Sequence, residues 1–431
     1  MTLPTDFIRQ TGDMLGRETS EKLFSALQEE ATVSLRLNPW ARAVADEQVL
    51  SSYERVAWCP DGYYLKSRPQ FTFDPPLHCG AYYVQEASSM FLSHVLRSLV
   101  PEPVMMLDLC AAPGGKSTCA LSALAEGSVL FCNEPVAPRA QVLAENIQKW
   151  HLPRLANHQS PITTHHSQLI TNATAADYAR SGIMFDVILT DVPCSGEGMF
   201  RKDEGAAAEW SLANVDRCQS LQRDIVGTVW PCLKPGGLLI YSTCTFNTLE
   251  NEANTAWIAS ELGATTVEVS TDSSWNITGW MLPGQPLAAY RFLPGFTRGE
   301  GLYMTVLRKN GTSPDTTSPA ERLGSFLRQH KRLLAKGKAL NMMPTDFLDA
   351  MRQAADAPRA ELSWQQAVAY LRREAITLPP DTPRGTVCLT YKHLPIGLAK
   401  NLGTRANNLY PKPWRIKSTY IPEQETLHII A

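Results

Sequence analysis

Between residues 101 and 260 short apolar runs alternate with stretches of helical period. "VMMLDLC", "SVLFCNE", "FDVILTD" and "GGLLIYST" are each too short for a helix and apolar on both sides of the period-2 alternation. They predict strands buried on both faces. "CALSALAEG" and "RAQVLAENIQKW" between them predict helices. This order predicts an α/β fold with a doubly wound, Rossmann-like, mostly parallel sheet. "GLYMTVLRKN" supplies a later strand expected to close the sheet edge antiparallel.

The flanks read differently. Residues 1–100 predict an α+β lead-in, with "SEKLFSALQEE" as an amphipathic helix capped by Ser20, strand-type residues in "GYYLKSRPQFTF", and a helix through "YYVQEASSMFLSHVLRSL". "NGTSPDTTSPA", residues 310–320, has the composition of a linker. Beyond it, "ERLGSFLRQHKRLLAKGKAL" predicts a basic helix, and "GTVCLTYKHLPIGLAKNLGTRANNLYPKPWRI" a small β-rich domain. The expected domains are therefore 1–100, 101–309 and 321–431 around that linker.

Composition narrows the class. A chain of 431 residues is long enough for two or three domains. No run of about 18 apolar residues predicts a membrane span, and "MTLPTDFIRQTGD" has no apolar leader core. A cytoplasmic protein that does not engage membranes is expected. The 10 cysteines include no CxxC pair, which disfavours a zinc site and predicts reduced thiols. The net charge of -2 hides an asymmetry: from Ser313 onward 17 Lys/Arg face 10 Asp/Glu, a net +7 against -9 for the rest. A basic C-terminal region suits docking on phosphates, though chance asymmetry alone produces such a difference as readily.

"DLCAAPGGKS", Asp108 to Ser117, lies between a predicted strand and a predicted helix. Its glycine pair lets backbone approach a ligand, and the helix start offers free N–H groups. The spacing matches neither a P-loop nor G-x-G-x-x-G. Glu134, ending the next strand, is placed to accept both hydroxyls of a ribose, so a nucleoside cofactor is expected at the carboxyl ends of the strands. Lys116 starts the helix facing this pocket, and Arg139 can brace its side.

Taken together and in this order, "CAAPGGKS", "DVPCSGEGMFRKD" and "YSTCTFNTLENE" resemble the motifs of the Nol/Nop/Sun family of RNA cytosine-5 methyltransferases. "NPWARAV", "VAWCPDGYYL" and "GAYYVQEASSM" resemble the N-terminal part of the bacterial ribosomal RNA members, and "IGLAKNLGTRANNLYPKPWRI" resembles their PUA-related RNA-binding domain. The resemblance covers most of the chain. It implies a class I methyltransferase sheet and S-adenosylmethionine as cofactor. Binding is then expected from Cys110, Ala111, Ala112, Pro113, Gly114, Gly115, Lys116, Glu134, Arg139 and Asp191. The implied substrate is a cytosine in 16S ribosomal RNA, free or within the 30S subunit, and a monomer is expected. Two positions depart from the family. "LITNATAADYA" offers Ala173 or Thr174 where relatives carry an acid against the adenine, with Asp177 nearby, so Thr174 enters the expected cofactor set. Gly295 follows Pro294 where many relatives have histidine.

Carbon 5 of cytosine is a poor nucleophile until a thiolate adds to carbon 6, so the reaction needs a cysteine that reaches the ring. The residues alone leave the choice between Cys194 and Cys244 open, because Cys194 follows a proline as in the DNA enzymes. The resemblance implies that Cys244 attacks and Cys194 assists release. Asp191 is expected to bond the cytosine edge, and Arg201 and Lys202 to hold phosphates. Transfer RNA as substrate, and a non-catalytic RNA-binding assembly factor, are the competing readings.

Overall fold

The computed structural model describes residues 2–156, 167–284, 286–334, 340–425 and 427–431. It contains two compact units, one of Met1–Thr32, Glu86–Ala140 and Thr164–Met343, the other of Val33–Gln85, Gln141–Thr163 and Pro344–Ala431.

The first unit is built on an eight-stranded sheet. Strands β1 (Met105–Asp108), β2 (Val129–Asn133), β3 (Ser167–Thr171), β4 (Phe185–Asp191) and β5 (Leu233–Thr243) run parallel in the order 5-4-1-2-3. Every residue of β1 and β2 is buried, which is why these strands read as unbroken apolar runs. The order reverses between β1 and β4, opening a crevice at the strands' carboxyl ends. Three helices follow β1, β2 and β3 respectively: α1 (Gly115–Ala123), α2 (Ala137–Trp150) and α3 (Ala175–Ser181).

Strand order departs from expectation at one place. Beyond β5, the strands β6 (Ala264–Thr266) and β7 (Tyr290–Phe292) both pair antiparallel with β8 (Leu302–Lys309), which itself pairs antiparallel with β5. β8 is therefore antiparallel as predicted but is not the last strand, because three residues of β6 cover part of its outer edge.

The N-terminal residues form two helices, Thr5–Leu15 and Arg17–Ala26, joined at Gly16 with φ 73°. Ser20 is not a cap. It lies inside the second helix, buried, with its hydroxyl donating to the Arg17 carbonyl at 3.0 Å. Gly16 takes the terminal position because the left-handed turn there costs it no Cβ clash. The basic helix Pro319–Leu334 inserts Phe326 into the core of this unit near Phe131, with ring centroids 6.4 Å apart, and pairs Arg322 with Asp186. The predicted continuation of this helix over 335–339 lies outside the described residues.

The second unit draws on both flanks of the sequence. One sheet pairs Glu54–Arg55, Gly62–Tyr64, Ser34–Leu37 and Tyr82–Val84 in that order, all antiparallel. The other orders Arg359–Glu361, Gly385–Tyr391, Leu394–Asn401 and Ala406–Asn408. A single core holds Leu35, Leu37 and Tyr82 from the first with Val387, Leu389 and Ile396 from the second.

Asp74 is a buried carboxyl in this unit, 1 % exposed. The Tyr82 hydroxyl donates to one of its oxygens; the other has no hydrogen-bond partner. Burial drives the carboxyl up from 3.8 to about 8. A raised native pKa means the stabilisation is complete below the unfolded value and is lost as pH rises through the folded one. The stability of the protein relative to Asp74→Asn should therefore decline from about pH 4 to about pH 8, by at most ~1.4 kcal/mol per pH unit. Urea titrations across that range measure it, and a flat difference would show that the ionised carboxylate is accommodated.

Candidate active site

The turn from β1 into α1 forms one wall of the crevice. Gly114 caps α1 with φ 115°, and the Ala112–Pro113 bond is cis. Asn133, at the end of β2, ties the turn to its neighbours. Its amide donates to the carbonyls of Leu109 and Ala173 at 2.9 Å each, while its oxygen accepts from the Ala173 N–H at 3.0 Å. Arg139 donates to the Ala112 carbonyl at 2.9 Å, bracing the turn from α2.

Two carboxylates stand at the strand ends beside this turn. Asp108 is fully buried and accepts from the Ser117 hydroxyl at 2.6 Å; burial raises it to about 7. Glu134 is 1 % exposed and accepts the Val136 N–H at 3.0 Å. Its other oxygen faces Arg139 at 3.3 Å without a hydrogen bond. A buried carboxylate oxygen without a donor is costly unless a ligand supplies one. The hydroxyls of a nucleoside are such donors, so these residues fit S-adenosylmethionine.

The opposite wall comes from β4 and β5. Asp191 lies across from Ser242 in the parallel register, and the Ser242 hydroxyl donates to it at 2.7 Å. Lys116 reaches over from α1 and donates to the other oxygen of Asp191 at 2.9 Å. Burial pulls the Lys116 ammonium down, but Asp191, followed by the Cys244 sulfur, outweighs it and raises the group overall. Just past the two strands, the sulfurs of Cys194 and Cys244 stand 3.2 Å apart. The hydrogen bond to Cys244, and then burial, hold the Cys194 thiol far above its usual range. Either sulfur can donate to the other across this contact.

Contacts thus link Arg139 to Ala112 and Glu134, Lys116 to Asp191, and Cys194 to Cys244. Three other expectations meet a different geometry. Arg201 is not a free phosphate ligand: it is 5 % exposed and bonded through two nitrogens to Glu300 at 2.9 Å each. Lys202 is exposed. Thr174 and Asp177 serve each other in a capping box at the start of α3, and backbone and hydroxyl donation from Thr174, with Arg180, lowers the Asp177 carboxyl. At Gly295, φ is 86° and a Cβ would come 3.0 Å from the Lys22 carbonyl, so the helix Arg17–Ala26 leaves no room for histidine. Sequence reasoning missed Asn133, Ser242, Glu197, Asn247 and Glu250. All but Asn133 lie inside motifs already singled out, which was the available signal.

The 5-4-1-2-3 parallel sheet with an antiparallel strand beside β5 is Rossmann-like, and the chain is an S-adenosylmethionine-dependent methyltransferase. The family model described as 16S rRNA methyltransferase RsmB/F matches residues 98–308. Models of the N-terminal domain of 16S rRNA methyltransferase RsmF and of the RsmF PUA domain match residues 3–87 and 357–416. The chain belongs to this family of methyltransferases. It is 27% identical to ribosomal RNA small subunit methyltransferase F of Enterobacter sp. (strain 638), over 95% of each chain. Among solved structures it is similar in fold to a methyltransferase homolog protein from Pyrococcus horikoshii, at 22% identity and TM-score 0.57, covering 71% of this chain and 95% of that one. NSun6 from Pyrococcus horikoshii, solved with the S-adenosylmethionine analogue SFG, gives 18% identity and TM-score 0.57, covering 72% and 99%.

Glu134→Ala should weaken S-adenosylmethionine binding about 10- to 100-fold, the range for losing hydrogen bonds to a buried charge. Calorimetric titration measures it, and unchanged affinity would remove Glu134 from the cofactor site.

Proposed function

We propose that this chain methylates carbon 5 of a cytosine in 16S ribosomal RNA through a covalent bond between Cys244 and the ring. The observation that supports the reading best is the sulfur pair, 3.2 Å apart. Two thiols at one site, one donating to the other, suit a reaction in which a sulfur must first attack and then leave.

Cys244 adds to carbon 6 of the cytosine. A carbon–sulfur bond forms, the 5,6 double bond opens, and its electron density makes carbon 5 nucleophilic. Asp191 receives the cytosine edge, with Lys116 and Ser242 fixing the orientation of its carboxylate. S-adenosylmethionine, when bound, supplies the methyl group as an electrophile on a sulfonium; Cys110 to Lys116 and Glu134 hold it. After methylation the carbon 5 proton leaves to solvent and the double bond re-forms. The carbon–sulfur bond breaks and its electron pair returns to Cys244, where the Cys194 thiol donates a hydrogen bond to the departing sulfur.

Ribosomal RNA as substrate is supported by the relatives' names over nearly the whole chain, the PUA match and the +7 excess beyond Ser313. A cytoplasmic, monomeric enzyme acting on 16S RNA, free or in the 30S subunit, follows from that reading. Incubation with 16S RNA, 30S particles and transfer RNA, each with labelled cofactor, distinguishes the substrates; label on transfer RNA alone would overturn the ribosomal assignment.

The roles of the cysteines have a direct test. Cys244→Ala should form no adduct and give no methylation. Cys194→Ala should accumulate a covalent complex with RNA that survives a denaturing gel. An adduct in Cys244→Ala but not in Cys194→Ala would reverse the assignment, and an adduct in neither would remove the release role from Cys194.

A further inference from the structure

The two cysteine loops are tied by buried glutamates in a reciprocal way. Glu197 follows Cys194 and is 1 % exposed. Its carboxylate accepts the N–H groups of Phe246 at 2.5 Å and Asn247 at 3.0 Å, both in the loop of Cys244. Trp210 donates to it as well, at 3.1 Å. Glu250 belongs to the segment after Cys244 and is fully buried. Its carboxylate accepts the N–H of Ser195 at 3.0 Å, next to Cys194, and the Gln222 amide at 2.6 Å. The Asn247 amide donates to both glutamates, at 3.0 Å to Glu197 and 2.8 Å to Glu250. Each motif thus carries the acceptor that fixes the backbone of the other.

We infer that Glu197 and Glu250 are positioning residues with separable effects: Glu197 aligns Cys244 for attack, and Glu250 aligns Cys194 for release. The inference rests on the covalent reading above. Its physical basis is that an ionised carboxylate is acceptor-only and can serve several N–H donors at once. Glutamine keeps the shape but turns one oxygen into a donor that meets an N–H already pointing at it. In Glu250→Gln the conflict falls on the Ser195 N–H together with Gln222, which share one oxygen, or on the Asn247 amide at the other, while Glu197 still accepts the backbone N–H groups of the Cys244 loop. In Glu197→Gln it falls on the Cys244 loop, while Glu250 still holds Ser195.

The test uses the full chain, with wild type and Cys194→Ala as controls. Thermal melting and S-adenosylmethionine titration establish that each variant is folded. Quenched time courses on RNA then separate adduct formation from release of methylated product. Glu250→Gln should form adduct at close to the wild-type rate and release it about tenfold more slowly, so that the complex accumulates. Glu197→Gln should form adduct about tenfold more slowly, without accumulation. A purely structural role would slow both steps alike in both variants, and that result overturns the inference. If Glu250→Gln does not bind the cofactor, Glu250→Asp replaces it. Aspartate keeps the charge but withdraws it by one methylene, and the same split between steps is expected. No adduct in Cys194→Ala would overturn the cysteine roles on which the inference rests; an adduct there, with unsplit glutamate variants, sinks only the clasp.

Discussion

The parallel pairing of β4 with β5 is the constraint on which this site depends. Parallel neighbours lie about 4.8 Å apart and leave the sheet in the same direction. Asp191 and Ser242 are partners in that register, so the segments leaving the two strands start at one height. Cys194 follows three residues later on one strand and Cys244 two residues later on the other. Their sulfurs meet although fifty residues separate them in sequence, because the crossover that parallel strands require includes the helix Leu212–Val229. The same register sets Asp191 where Lys116, from the first turn of α1, can reach it.

Holding charge at this end of the sheet costs stability. Arg201 with Glu300, and Arg291 with Glu252, are buried ion pairs, and Glu197 and Glu250 are buried among N–H and amide donors. Buried pairs seldom exceed their own desolvation cost. Burial raises the Glu250 carboxyl in spite of hydrogen bonds from Ser195, Asn247 and Gln222. An apolar filling would be more stable and less directional. The directional bonds fix loop backbones that have no regular secondary structure of their own, which is what placing two sulfurs in contact demands.

The parts of this architecture that were legible in the sequence are the ones encoded locally. β1, β2 and β4 are short apolar runs because both faces of each are covered, and the three chemical motifs are contiguous. Ser20 misled because a serine before an apolar pattern is a frequent cap, whereas Gly16 four residues earlier had already started the helix. The spacing of Thr174 and Asp177 is nearly that of a capping box, and the structure uses it as one. Arg201 read as a phosphate ligand because its partner Glu300 lies 99 residues away. The second unit was not legible as a unit: its core joins Leu35 to Leu389, a contact that no local period encodes. The glutamates of the clasp were visible as letters but not as roles, since they act on backbone N–H groups about fifty residues distant.

Gly198 shows how closely the loops are set. Its N–H donates to the Cys244 carbonyl at 2.7 Å. A Cβ built on it would stand 2.6 Å from that oxygen and 3.0 Å from the Glu300 carbonyl. Three segments therefore converge on one glycine: its own, the Cys244 loop and the segment carrying Glu300. Backbone contact at this distance leaves no space for a side chain to adjust. The position of Cys244 is set by peptide groups on one side and by the Glu197 carboxylate on the other. A sulfur that must bond carbon and then release it gains from such a mount, because the geometry for attack and the geometry for departure differ by little more than a bond length. The Cys194 thiol, held against the Cys244 sulfur by the same convergence, is within reach in both.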